Sequence, residues 1–178
     1  IGSVQDEGTF MGSIRNTFGT EPKGIKKWEY APGGEGTIIA IDPTRPDIVY
    51  SSTFYGRLQR SDLSLPDSVR SKDIYPKRAD GEDIHRGEWL AYTMLSPHNP
   101  KTVYHGFQYV FRSDDEGQTW KRISGDLTYN DKSKMGKTPY AINHQSITAM
   151  DESPLEKDLL YAGTDDGRVW VKNGLNAE

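Results

Sequence analysis

The sequence predicts an all-β chain built from four-stranded antiparallel blades, a segment of a β-propeller. Three observations carry this. A frame recurs three times, in Ile38 to Asp62, Ala91 to Asp115 and Ser146 to Gly174. Each copy has an alternating strand, a proline turn, a strand ending in Tyr, a tight turn and another strand. Pro43, Pro97 and Pro154 each precede Tyr50, Tyr104 and Tyr161 by the same interval, and the prolines recur at a period that four short strands with their turns would fill. Finally, 18 Gly and 10 Pro in 178 residues suit a turn-rich β protein better than a helical one.

Taken in order, residues 1–36 read as the end of a blade. Val4 to Met11 forms an acidic-Gly turn before an apolar strand, like Thr164 to Trp170, and Lys26 to Tyr30 is expected to be the outer strand. Gly33 to Gly36 links to an inner strand over Thr37 to Asp42. Residues 37–90 form a blade and residues 91–145 another. Residues 146–178 supply three strands of a further one. Ile1 stands where a start methionine would, so a processed or trimmed piece of a larger propeller is expected, its open strand edges paired by further blades or another subunit. Two polar stretches, Leu63 to Glu88 and Asp126 to His144, are expected where one blade passes to the next. They either build a binding surface or serve as plain solvated connections.

Composition excludes several classes. The net charge is -4, and no basic run tracks a phosphate backbone, so nucleic acid is not an expected partner. The cluster Lys23 to Lys27 reads as a solvated loop. Without cysteine there are no disulfides and no thiolate metal sites. No apolar run reaches membrane-span length. No P-loop, dinucleotide fingerprint or nucleophile elbow is present. No cofactor is expected.

The stretch Ser113 to Trp120, SDDEGQTW, has the form S-x-D-x-G-x-T-W. With the apolar run Tyr109 to Phe111 before it, it reads as a hairpin. Gly117 takes the turn, Asp115 accepts N–H groups across it, Thr119 starts the return strand and Trp120 pins the hairpin to its neighbours. The motif resembles the Asp-box, or BNR repeat, of sialidases, sortilin-type receptors and xyloglucanase-type glycosidases. Together with VQDEGT, PGGEGTIIAIDPTRPDIVY, LSPHNPKTVYHG, ISGDLTYND and ESPLEKDLLYAGTDDGRVWV, it resembles the bacterial sortilin-like BNR propeller proteins, a likeness running from about Gly2 to Val171. The first copy departs from the box, with RSDLSLPD in its place. The resemblance implies a secreted or cell-envelope protein, and a box that is a folding element rather than a catalytic one.

Function is less legible, because propellers host many activities. A binding or scaffold module for glycan or protein is one expectation, and a glycoside hydrolase with two carboxyl groups facing one sugar bond is the other. Asp6 and Glu35, in Gly-rich turns beside inner strands, are the candidate carboxylates; the structural alternative is an Asx turn at Asp6 and a solvated or Arg-paired Glu35. Trp28, Trp89 and Arg86 are candidate ligand contacts, with blade-to-blade packing the alternative for the two tryptophans. A sialidase would need converging arginines, and the spacing of Arg15, Arg57 and Arg86 gives no sign of it. His98 and His105 lack a ligand pattern and read as polar packing. The recurring Tyr50, Tyr104 and Tyr161 read as core or strand-end residues.

Overall fold

The computed structural model describes residues 1–12, 28–135 and 144–174. Arg15, Lys23 to Lys27 and residues 136–143 of the second polar stretch lie outside the described residues. The described chain forms four antiparallel sheets of three or four strands, each a simple meander. The first holds β1 (Gly2–Val4), β2 (Gly8–Met11) and β3 (Glu29–Tyr30). The second runs β4 (Ile39–Ile41), β5 (Ile48–Ser52), β6 (Leu58–Asp62) and β7 (Ser71–Asp73). The third runs β8 (Thr93–Leu95), β9 (Val103–Gly106), β10 (Val110–Ser113) and β11 (Lys121–Arg122). The fourth has β12 (Ile147–Glu152), β13 (Leu159–Thr164) and β14 (Val169–Asn173). The leading strands β4, β8 and β12 lie side by side, so successive sheets fan out face to face as propeller blades do.

The register makes the repeat physical. Tyr50 pairs with Arg60, Tyr104 with Arg112 and Tyr161 with Val171, so the three tyrosines occupy one position in three sheets. Two of them are core residues. Tyr50 sits with Ile48, Leu58 and Ile74 against Val103, Leu95 and Trp120 of the following sheet. Tyr104 sits with Val110 and Ile123 against Ile147, Met150, Leu160 and Ala162. Both are fully buried, and such aromatic and aliphatic faces dominate the energetics of sheet packing. Tyr161 departs from the core reading and is 43% exposed, because no described sheet covers its face.

One expectation is corrected. Leu63 to Glu88 is not a single passage between blades. It contains β7, the outer strand of its own sheet, with a turn before it and the passage only after Asp73. The strand was hidden because its residues, Ser71, Lys72 and Asp73, are all polar and exposed. Their pairing is made by backbone groups, which leave no apolar alternation to read.

Ser113 to Trp120 forms the turn between β10 and β11. Asp115 Oδ1 accepts the Thr119 N–H at 2.8 Å and Oδ2 accepts the Thr119 hydroxyl at 2.7 Å. Ser113 Oγ donates to Asp115 and accepts the Gly117 N–H. These bonds, led by the Thr119 hydroxyl, hold the Asp115 carboxyl down at about 2. Glu116 and Gly117 both have positive φ. A Cβ on Gly117 would stand 2.4 Å from Ile74 of the preceding sheet, so only glycine fits. Trp120 Nε1–H donates to the Ile74 carbonyl at 2.5 Å. Glu116 bridges to Arg45 and Arg60, each at 2.7 Å. The box is thus a clamp between two sheets.

Candidate functional site

Three connections meet at one end of the second and third sheets. The first is Gly33 to Gly36, leading into β4. The second is Thr53 to Arg57, between β5 and β6. The third is Gly87 to Leu90, leading toward β8. Their contact depends on missing side chains. A Cβ on Gly87 would overlap the Tyr55 carbonyl carbon at 2.4 Å, and one on Gly34 or Gly36 would touch Thr53 or Leu90. Three glycines therefore let backbone and side chain meet closely, and a fourth, Gly56 with φ 88, closes the Phe54–Gly56 turn under Phe107.

Three aromatic rings assemble there. Trp89 lies 4.3 Å from Phe54 and 5.6 Å from Tyr55, measured between ring centroids, and Tyr55 stands edge-on to it. All three are half-buried. Tyr55 is held with φ 58, a left-handed conformation that costs a bulky residue about 1–3 kcal/mol and is retained only where the surroundings enforce it. Arg57, beside the trio, is exposed, and Glu35 is half-buried in the adjoining loop. Beneath the turn lies His105, with no exposure. Its Nε2 is 2.8 Å from the Gly56 carbonyl, and its Nδ1 is 2.6 Å from the Thr93 hydroxyl. A carbonyl only accepts, so Nε2 carries the proton and Nδ1 accepts from Thr93. Burial pulls the ring down to about 4, against the Gly56 bond that raises it.

The carboxylate pair Asp6 and Glu35 falls beside this end. The Asp6 N–H donates to Glu35 Oε2 at 2.6 Å. Asp6 has φ 64 in the β1–β2 turn, so Glu35 braces a left-handed turn from the neighbouring loop. Around it, Ser3 and Thr9 hydroxyls donate to the Gly34 carbonyl, and Thr37 N–H donates to Ser3 Oγ. The two acidic residues are therefore brought together, with Glu35 occupied on one oxygen by backbone.

The other candidates have different surroundings. Arg86 is 6% exposed. Its Nε–H donates to the Gln145 carbonyl, and its Nη2 reaches Asp126 at 2.8 Å and Thr128 at 2.9 Å. Its own N–H donates to Gln108 Oε1. It ties the chain between the second and third sheets to the chain between the third and fourth, and its guanidinium is spent on these bonds. Trp28 is 57% exposed and stands over Gly12 at the edge of the first sheet, not beside the aromatic trio. Trp89 alone among the three is placed in the trio. Phe54 and Tyr55 escaped sequence reasoning. Their only signal is the Phe-Tyr-Gly run in the turn that follows the Tyr50 strand.

Polar contacts account for both His98 and His105: His98, in the turn between β8 and β9, donates from Nε2 to the Ser153 carbonyl at 2.8 Å, and His105 is bonded at both ring nitrogens. Among the described residues no group of three or more His, Cys, Asp or Glu is placed to hold a metal ion. No described helix is long and apolar enough to cross a membrane.

No protein-family model matches the chain, and no curated protein matches it. Among solved structures it is similar to the crystal structure of the GH74 enzyme of Niastella koreensis, with 16% identity and a TM-score of 0.49. That likeness covers 80% of this chain and 22% of the enzyme's, so the chain spans about a fifth of that protein's length.

Proposed function

We propose that this chain contributes a glycan-binding face to a secreted or envelope β-propeller of the Asp-box type. The observation that carries the reading is the half-buried trio of Phe54, Tyr55 and Trp89, gathered from two connections, with the exposed Arg57 next along the second of them and the loop of Glu35 packed on Thr53 and Leu90. Flat aromatic faces stack on the C–H faces of sugar rings, while a few polar groups at the rim of such a site orient hydroxyls. The Asp-box clamp, by contrast, has its polar groups satisfied internally and serves the fold.

The test is titration of the folded chain with a panel of neutral hexasaccharides of glucose, xylose and mannose. Binding by at least one is expected, with affinity falling about tenfold, or 1.4 kcal/mol, in Trp89→Ala. No binding across the panel, or binding indifferent to Trp89, would defeat the reading.

A glycoside hydrolase is the second reading, favoured by the adjacency of Asp6 and Glu35. Hydrolysis would require both carboxyl groups to face one glycosidic bond. Release of reducing ends that disappears in both Asp6→Asn and Glu35→Gln supports it. Release that survives in either excludes this pair.

A further inference from the structure

Resting on the glycan-binding reading above, we infer that His105 is the positioning residue of the aromatic face. Through the Gly56 carbonyl it holds the Phe54–Gly56 turn in the shape that sets Tyr55 beside Trp89, and taking up a second proton releases that shape. The face is thereby made to respond to acid.

The repeat singles this residue out. His105 follows the repeated tyrosine of its sheet, and its counterparts in the second and fourth sheets are Ser51 and Ala162. Opposite it on β8 stands Thr93, where the other two sheets have Ile39 and Met150. The fourth sheet thus fills the place with a buried apolar pair, Met150 and Ala162. A buried hydroxyl and imidazole carry a desolvation cost that such a pair avoids, and only the bonds they make offset it. One of those bonds goes back to the turn of the preceding sheet, the one with Tyr55 at φ 58 and Gly56 at φ 88. The corresponding Phe107 to Tyr109 turn has no residue at positive φ, and the counterpart of its anchor is Ala162, which has no polar side chain. The polar anchor therefore occurs where a strained turn carries the aromatic face.

Protonation changes this arrangement at one atom. With Nε2–H on the Gly56 carbonyl, a second proton enters at Nδ1, which accepts from the Thr93 hydroxyl. Thr93 must then turn from donor to acceptor. The new charge sits on a ring with no exposure, edge-on to Phe107 and beside Trp120. The titratable group whose charge acts on it is His85, stacked on Phe107 at 4.8 Å, and it opposes a second positive charge. Glu35, Arg57 and Glu88 are the charged residues on the three connections themselves.

The test begins without ligand. The amide signals of Tyr55 and Gly56 and the indole N–H of Trp89 are followed by NMR from pH 7 to pH 3.5, beside the imidazole nitrogens of His105. They are expected to move with the His105 ring, at a midpoint near pH 4, and to stay flat in His105→Gln. Glutamine can still donate to the Gly56 carbonyl and does not titrate. Signals that stay still while the ring titrates overturn the inference. So do signals that move equally in His105→Gln, which would assign the acid response to Glu35 or Glu88. The hexasaccharide that binds tightest at pH 7 is then titrated into the folded chain. Affinity should fall about twofold at pH 4 and about fourfold at pH 3.5, as the neutral fraction of the ring does. At pH 7 it should drop about fivefold in His105→Ala and recover in His105→Gln. Unchanged affinity in His105→Ala overturns the inference. If no hexasaccharide binds at pH 7, the glycan reading fails, and the ligand-free signals still decide whether His105 positions the trio.

Discussion

The box turn and the aromatic connections are built from the same materials and used in opposite ways. Both have glycine at positive φ, both bring a residue of one sheet against the next, and both carry large aromatic side chains. In the box every polar group named above is spent internally. Asp115 is closed on Thr119 and Ser113, Glu116 on two arginines, and the Trp120 indole on Ile74. In the Phe54, Tyr55 and Trp89 cluster the rings contact one another yet stay half-exposed, with Arg57 open beside them. A chemically eye-catching motif is thus a fastener, and an inconspicuous turn presents the surface. Substitutions in the box should move stability without moving binding, and those in the trio should do the reverse.

The largest effect is expected from Trp120→Ala. It removes a half-buried indole from the junction and orphans the Ile74 carbonyl, costing about 3–4 kcal/mol in chemical denaturation. Ligand affinity of the remaining folded fraction should be unchanged. A comparable loss of affinity would break the separation between the two regions.

Acid comes next, because His105 links them. Its folded value of about 4 lies below the ordinary 6.5, so as pH falls the unfolded chain takes up the proton first. The stability it protects is complete above about pH 6.5 and is lost as pH falls to about 4, for a total of about 3 kcal/mol. Its counterpart one sheet on is Ala162, which cannot titrate. Hydrogen exchange at pH 4.5 should therefore open β5 and β9 before β13. Uniform opening would refute the assignment to His105.

Gly117→Ala should cost about 2 kcal/mol, from positive φ together with the approach to Ile74. Gly167→Ala, with similar φ and open space around it, should cost about 1 kcal/mol. Equal melting temperatures for the two variants would show that the clamp on Ile74 contributes nothing. The smallest stability effect is Trp89→Ala, under about 1 kcal/mol at a half-exposed site, with the tenfold loss in affinity as its main consequence.

Much of the fold was legible because it is repeated. The proline-to-tyrosine interval marks a strand pair that recurs in three sheets, its tyrosine buried in two of them, and Gly117 and Gly167 mark turns that only glycine serves well. β7 was not legible, since Ser71 to Asp73 contribute backbone alone. The site was harder still. Charge made Arg86 a ligand candidate, but its partners Asp126, Thr128 and Gln145 lie far along the chain and only the fold brings them together. Tyr55 gives no sign in sequence of its left-handed backbone, which depends on Gly56, Gly87 and Trp89 around it. Asp6 and Glu35 were legible as residues of Gly-rich turns, but not the backbone bond that joins them.

The division between fastener and surface is tested most directly by mapping amide chemical shifts during titration with the tightest-binding hexasaccharide of the panel. Saturable shifts confined to Glu35, Phe54 to Arg57 and Glu88 to Leu90, with Ser113 to Trp120 unmoved, are the predicted result. Shifts centred on Ser113 to Trp120, with the trio silent, would contradict it.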